Sequence, residues 1–163
     1  MHDALIPPLT HMLGSYLSIL GKAEAYAKEK GEKVDSYLEL RLAPDMLPLT
    51  KQVQIATDMA KGGAGRLAEV EIPSYEDNET TVAQLKERLK KTIAFLKGLD
   101  AAKFTGAETK EIHLKFPQRE LHFNGREYLN NFVLPNFYFH LTTGYDILRQ
   151  KGVPLGKQDF LGG

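Results

Sequence analysis

The stretch NNFVLPNFYFHLTTGYDILRQ, residues 130 to 150, decides the fold. Its apolar residues recur at spacings of three and four, which is typical of an amphipathic helix. At 100° per residue, one stripe of this helix contains Leu129, Phe132, Val133, Asn136, His140, Thr143 and Ile147. Asn136 and His140 lie near the middle of the stripe, one turn apart. The pattern predicts a long bundle-type helix with two polar side chains directed at the interior.

Three further helices are predicted upstream. Their expected ranges are about Pro7 or Pro8 to Lys30, about Pro48 to Leu67, and Thr81 to Gly98. The third has the clearest limits, because Thr81 and Gln84 fit a capping box and Gly98 supplies a stop. The last helix is expected to start at the cap-like Asn124-Gly125-Arg126-Glu127 and to reach about Gln150, with Pro135 bending its axis.

The hydrophobic period changes to two between residues 111 and 123, in EIHLKFPQRELHF. This alternation predicts a small β-hairpin with one apolar face, and it places His113 and His122 on the opposite, exposed face. The tail after Gln150 is expected to be short and irregular. The predicted fold class is all-α: one domain over residues 1–163, an antiparallel four-helix bundle with a small β-hairpin between the third and fourth helices.

Composition excludes several classes of function. The 21 Lys and Arg residues balance the 21 Asp and Glu residues, so no net charge would recruit nucleic acid or an anionic membrane. The most basic segment, LKERLKK (85 to 91), is expected to form a solvated helix face. No apolar run is long enough to span a membrane, and the N-terminus lacks signal-peptide features. The absence of cysteine is compatible with a reducing cytosol, so a cytoplasmic protein is expected.

The second helix adds a third inward polar residue. Gln52 lies at the centre of its core stripe, whereas Gln54 and Asp58 point the other way. The small residues AKGGAG (60 to 65) would allow a helix or a ligand to approach this backbone closely. Buried amides and imidazoles need partners, so Gln52, Asn136 and His140 are predicted to be a hydrogen-bonded cluster, a small-ligand pocket or a metal site.

A second apolar stripe runs along the last helix, on the side away from the polar pair. It contains Leu134, Tyr138, Leu141, Tyr145 and Leu148. One helix of a four-helix bundle needs only one buried face, so this stripe predicts a homodimer interface. The first helix offers Met12, Ile19 and Tyr26 on a flank that would complete the patch.

Three stretches of the chain resemble the DinB/YfiT-like superfamily of helical bundles, and in particular a branch of unknown function. They are RLAPDMLPLTKQVQIATDMAKG, IPSYEDNETT and LPNFYFHLTTGYDILRQKGVPLGKQDFLG. The resemblance implies a dimeric, DinB-like four-helix bundle. In typical members it also implies a divalent metal held by three histidines, with metal-dependent transferase or hydrolase activity.

By this resemblance the three metal-ligand positions correspond to Gln52, Asn136 and His140. Only His140 is a histidine, and carboxamides are weak ligands for zinc or nickel. We therefore expect no tightly bound cofactor, with at most weak divalent-metal binding, and a small-molecule ligand between the second and fourth helices. The alternatives are a metal-dependent transferase or hydrolase, with His140 as ligand or general base, and a structural or partner-binding protein.

Overall fold

The computed structural model describes residues 1–163, which form four long helices and one small antiparallel sheet. The main elements are α1 (His2–Lys30), α2 (Leu49–Ala68), α3 (Val82–Lys97), β1 (Glu111–Phe116), β2 (Arg119–Asn124), α4 (Gly125–Glu127), a π-helical segment (Tyr128–Val133), α5 (Leu134–Lys151) and α6 (Lys157–Leu161). Short 3₁₀ turns occur at Val34–Glu39, Ala101–Phe104 and Ala107–Thr109. The segment from α4 through α5 is the fourth long helix of the sequence prediction.

Helix α1 begins one and a half turns before its predicted start, so both prolines lie inside it. Proline costs little near a helix start, where its missing N–H would have no partner. Leu5 and Ile6 are buried in the core, and the N-terminal amine forms an ion pair with Glu108 at 3.4 Å. Tertiary contacts therefore extend this helix toward its N-terminus.

Helix α2 is the central element, because α5 packs along one side of it and α3 along another. Small residues between Ala60 and Gly65 permit this close packing on several sides. The prediction that Gln54 points to solvent is wrong: its side chain is almost fully buried. A helix enclosed on several sides has no free polar face, and an amphipathic pattern cannot reveal this.

Helix α3 and the hairpin match their predictions. The Thr81 side chain accepts a hydrogen bond from the Gln84 backbone N–H, Gln84 Oε1 accepts one from the Thr81 backbone N–H, and Gly98 is the C-cap. Strands β1 and β2 pair in antiparallel register, with Ile112 and Leu114 buried. The predicted exposed faces of His113 and His122 are confirmed, and the two imidazole rings meet edge-on at 4.4 Å.

The last long helix changes its geometry just before Pro135. Because proline has no N–H, the helix cannot make its regular hydrogen bond at that position. The preceding segment, Tyr128–Val133, is π-helical, and Asn136 Nδ2 donates a hydrogen bond of 2.6 Å to the carbonyl oxygen of Phe132. The chain thus accommodates the proline by widening one segment of the helix.

The tail is ordered rather than irregular. Residues Lys157–Leu161 form α6, which packs against α1, and Leu155 is buried. His11 Nε2 contacts the carbonyl oxygen of Leu161 at 2.7 Å, while the Leu161 side chain itself is exposed. No helix of the chain combines the length and the apolarity required to cross a membrane.

Candidate functional site

The structure brings Gln52 of α2 and His140 of α5 into direct contact. His140 Nδ1 lies 2.7 Å from Gln52 Oε1, and Gln52 Nε2 donates a 2.9 Å hydrogen bond to the carbonyl oxygen of Leu47. The Leu47 carbonyl can only accept, so it fixes the orientation of the Gln52 amide. Gln52 Oε1 must then accept a hydrogen bond from His140 Nδ1–H. The Nε2 atom of a neutral His140 consequently carries a lone pair.

Burial favours that neutral form, because it lowers the pKa of His140 below its ordinary value. No carboxylate faces the ring to counter this effect. The Phe139 ring meets the imidazole edge-on, with centroids 5.2 Å apart. At neutral pH, His140 is therefore an uncharged hydrogen-bond acceptor and a weak base.

Asn136 lies one turn before His140 but does not contact Gln52. Its Nδ2 atom is occupied by the Phe132 carbonyl, and its Oδ1 atom accepts no hydrogen bond from the protein. The sequence predicted that both Asn136 and His140 are buried, but both are only half-buried. The cluster is a shallow polar spot between α2 and α5, with Gln52 buried beneath it.

Two exposed apolar side chains adjoin this spot. Phe139 is 55% exposed and Leu47 is 44% exposed, and both are joined to the pair through the contacts above. The four principal cavities of the chain are lined by other residues. The predicted residues contribute to a surface patch that combines apolar side chains with two hydrogen-bond acceptors.

The three residues do not fit a tightly held divalent metal. Gln52 already uses both of its polar atoms, and a metal would have to break its bonds to His140 and Leu47. His140 Nε2 and Asn136 Oδ1 remain, which is one good donor and one weak one. No group of three or more His, Cys, Asp or Glu residues in the chain is placed to hold a metal ion.

The predicted dimer stripe is largely covered within one chain. Leu141 and Leu148 are fully buried in the core, so the prediction that Leu141 lies at an interface is wrong. The Tyr145 ring packs against Phe160 of α6, with centroids 5.6 Å apart. Tyr138 remains 36% exposed, and Leu134 is half-buried. Helix α5 has a wider buried face than one stripe, because several elements cover it.

The flank proposed to extend that patch on α1 is also covered. Met12 and Ile19 are both buried in the core, and Tyr26 is half-buried. Helix α6 packs on α1 as well, with Lys22 and Asp159 forming an ion pair between them. Packing in the core accounts for these buried side chains, and the ordered tail covers Tyr145.

The sequence prediction missed a buried charge cluster around Arg88 of α3. The Arg88 side chain is only 2% exposed, so the prediction of a solvated face for residues 85 to 91 is wrong at this position. Its guanidinium ion-pairs with Asp58 at 2.9 Å, Glu79 at 3.0 Å and Asp77 at 3.1 Å. Its Nε atom donates a 2.7 Å hydrogen bond to Thr57.

These contacts fasten the irregular connection between α2 and α3 onto both helices. Burial alone would lower the pKa of Arg88, but its hydrogen bond to Glu79 and the three carboxylate charges raise it overall. Gln54 Nε2 also donates to Glu79, at 2.7 Å. The cluster borders a cavity of about 530 Å³ that is lined mainly by polar residues. The charges of Arg88 and its carboxylate partners compensate one another, although the buried Gln54 Oε1 accepts no hydrogen bond, so the cluster is structural in character.

A sequence signal for this cluster exists in the acidic connection itself. The segment SYEDNE (74 to 79) carries three carboxylates, and Arg88 lies three residues from Leu85 and one from Leu89 on the helix stripe. A cation at the edge of a core stripe, next to an acidic loop, is the pattern that would have indicated burial.

The chain is a helical protein with four long helices and a hairpin before the last of them. A crystal structure of a DinB family member protein from Shewanella denitrificans superposes with a TM-score of 0.92. The two sequences are 39% identical, and the alignment covers 99% of this chain and 92% of that one. The chain belongs to the DUF1993 family, a domain of unknown function, whose model matches residues 1–161. No curated protein matches.

Proposed function

We propose that this protein is an antiparallel four-helix bundle that binds a small molecule between α2 and α5, without a tightly bound metal. The candidate ligand-binding residues are Gln52, Asn136 and His140. The observation that carries the proposal is the 2.7 Å contact between His140 Nδ1 and Gln52 Oε1. It orients a neutral imidazole so that Nε2 is left to accept a hydrogen bond.

The chemistry of the spot defines the kind of ligand. Asn136 Oδ1 and His140 Nε2 are both acceptors, so they favour a molecule that donates through O–H or N–H groups. Phe139 and Leu47 supply exposed apolar surface beside them, which favours a ligand with an apolar body. An uncharged phenol or aromatic amine has this combination.

A pair of matched probes tests the proposal. Phenol donates a hydrogen bond, whereas anisole has the same ring and cannot donate. We expect phenol to shift the His140 ring resonances in NMR titrations at lower concentrations than anisole does. His140→Asn keeps a donor to Gln52 but removes Nε2, so it should abolish the preference for phenol, as measured in both proteins on the ring resonances of the adjacent Phe139. Equal binding of the two probes, or an unchanged preference in His140→Asn, would contradict the proposal.

Added zinc tests the alternative of a metal-dependent transferase or hydrolase. A single imidazole gives weak affinity, so zinc should raise the melting temperature of the metal-free protein little. His140→Ala serves as the control, and it should respond to zinc as the wild type does. A large rise that depends on His140 and is reversed by a chelator would instead favour the enzyme.

A further inference from the structure

A second recognition element lies about two helical turns away from His140, where the hairpin crosses α2 and the π-helical segment. These three elements line a partly open cavity of about 190 Å³. Its walls include the apolar side chains of Met59, Leu114, Phe116 and Phe132. None of the residues of the His140 spot lines it, so the two locations are separate.

The cavity carries a guanidinium that no carboxylate neutralises. Arg66 of α2 lines it, and the only hydrogen bond of its side chain is a 3.3 Å contact from Nη1 to the hydroxyl of Tyr128. The Arg66 side chain lies over Gly62, where an added Cβ would come within 2.6 Å of Nη1. The absence of a side chain at Gly62 thus lets the guanidinium lie against the helix, beside the cavity.

Tyr128 places a hydroxyl at the same point. Its side chain is 2% exposed, and its ring stacks on Phe132 with centroids 5.8 Å apart. The hydroxyl accepts from Arg66, and its own proton is free to be donated. Arg66 and Tyr128 therefore present adjacent donors to whatever occupies the cavity.

The other charged groups around the cavity leave a positive balance. Asp58 lines it too, but this carboxylate is already paired with Arg88 at 2.9 Å and Lys61 at 3.1 Å. Lys115 of β1 is a further cation nearby, on the exposed face of the hairpin, with only a long 3.7 Å contact to the exposed Glu120. An anion would be favoured here.

The shape of the cavity limits the body of that anion. An apolar cavity of roughly 150 Å³ accommodates benzene, so 190 Å³ suits a single ring with a small substituent. The π-helical segment supplies Tyr128 and Phe132, and such segments recur at functional sites although they are rare elsewhere. Gly63 brings this segment close, since a Cβ there would lie 2.5 Å from Val133.

We propose that the cavity between α2, the hairpin and the π-helical segment binds a small monocarboxylate with a single-ring apolar body. The carboxylate accepts hydrogen bonds from Arg66 and Tyr128, and the ring lies among Met59, Leu114 and Phe132. The geometry of a guanidinium fork suits a carboxylate, which can accept two parallel hydrogen bonds.

Benzoate and benzamide are suitable probes, because they share one ring and differ in charge. Benzoate titrated into the full-length protein should shift the backbone amide resonances of Leu114 and the ring resonances of Tyr128, and leave those of His140 unchanged. Benzamide should bind at least tenfold more weakly, because it gives Arg66 no charged partner. Added salt should weaken the binding of benzoate alone.

Two conservative variants complete the experiment. Arg66→Met keeps the aliphatic part of an exposed helical residue, and it should weaken benzoate binding about tenfold while leaving benzamide binding unchanged. Tyr128→Phe keeps the ring stack and should weaken benzoate binding severalfold. Lys97→Met, an exposed basic residue of α3 outside the cavity, is the control and should bind benzoate as the wild type does.

The proposal is overturned if benzoate and benzamide bind equally well, or if Arg66→Met retains the full affinity for benzoate. Shifts confined to His140 would also overturn it, and would assign the carboxylate to the other location. Because the phenol experiment reports on His140 and this one on Leu114 and Tyr128, either proposal can fail while the other holds.

Discussion

Tyr16 of α1 contains a fully buried hydroxyl that forms no hydrogen bond. Burial raises the pKa of this phenol, and the charge of Asp146 raises it further, so the hydroxyl stays protonated. It packs directly against Gly144 of α5, where an added Cβ would lie 2.0 Å from the oxygen. The absence of a side chain at Gly144 is what gives the tyrosine ring room in the core.

We expect Tyr16→Phe to leave the free energy of unfolding unchanged or to raise it by up to about 1 kcal/mol, because it removes an unsatisfied buried polar group. Tyr37→Phe is the matched change, since the Tyr37 hydroxyl donates a 2.6 Å hydrogen bond to Glu32. That variant should lower the stability. Urea unfolding of both variants measures the difference, and a marked loss in Tyr16→Phe would point to a bound water at its hydroxyl.

The half-buried imidazole of His140 gives the stability a dependence on pH. Its pKa is lowered in the folded state, so the folded protein binds fewer protons than the unfolded chain. Stability should consequently fall as the pH drops below about 6.5, the ordinary pKa of histidine. His140→Asn removes this titration while keeping a donor to Gln52. Its unfolding free energy should fall less between pH 7.5 and pH 5 than that of the wild type. An equal pH dependence of the two proteins would show that His140 does not cause the loss of stability.

At the scale of elements, the approach of α2 to the π-helical segment depends on Gly63. A Cβ at this position would lie 2.5 Å from Val133 Cγ1, which is too close for any real contact. Gly63→Ala should therefore force the two helices apart and cost about 1 to 3 kcal/mol. Thermal unfolding monitored by circular dichroism would show this loss.

Gly21 of α1 is the control for that substitution. An added Cβ at Gly21 meets no atom within 4 Å, so Gly21→Ala should stabilise the protein by up to about 1 kcal/mol through helix propensity. We therefore expect the substitution to lower the stability at Gly63 and to raise it at Gly21. If both variants were stabilised, the close packing of α2 on the π-helical segment would be disproved.

Local sequence patterns predicted the elements well where local interactions determine their limits. The Thr81 and Gln84 capping box fixed the start of α3, and the period of two located the hairpin. The predictions failed where contacts between residues far apart in the sequence determine the limits of an element. Helix α1 extends to His2 because Leu5 and Ile6 reach the core, and α6 forms because Phe160 meets Tyr145. Neither contact can be predicted from hydrophobic periodicity or from helix-capping residues.

At the scale of the whole molecule, Arg88 joins α2, α3 and the connection between them. Arg88→Met would leave Asp58, Asp77 and Glu79 without their shared cation. Asp58 and Asp77 are partly exposed and keep ion pairs with Lys61 and Lys51, so we expect a loss of about 1 to 3 kcal/mol in chemical unfolding. Lys90→Met, which removes an exposed cation paired only with Glu87, should behave as the wild type. Equal behaviour of the two variants would show that solvent screens the Arg88 cluster.

The homodimer stays a prediction, with its expected contact moved to Tyr138 and the adjacent Phe139. These are the exposed aromatic side chains of α5 that no other element covers. Light scattering at micromolar concentrations should give twice the mass of the 18.3 kDa chain, and replacing both residues by serine should give a monomer. A wild-type particle of 18.3 kDa would contradict the prediction.

The sequence predicted some of the polar contacts of the molecule and missed others. The helical period brought Gln52 and His140 together correctly, because both lie on faces that meet across the α2–α5 contact. It could not predict that Asn136 binds its own backbone, since that depends on the carbonyl geometry before Pro135. The Arg88 cluster and the Arg66 cavity require residues from three elements each, and such combinations emerge only from the assembled fold.

The Arg88 cluster affects which parts of the protein unfold together in local unfolding. The connection from Val70 to Thr80 contains no helix or strand. The amide hydrogens of such a segment ordinarily exchange, and its peptide bonds are cleaved by proteases, without unfolding of the core. Here its carboxylates are held by a cation that is itself buried between two helices. The connection, α3 and the facing part of α2 should therefore open together as one cooperative unit, so that this loop acquires the protection of the helices it joins.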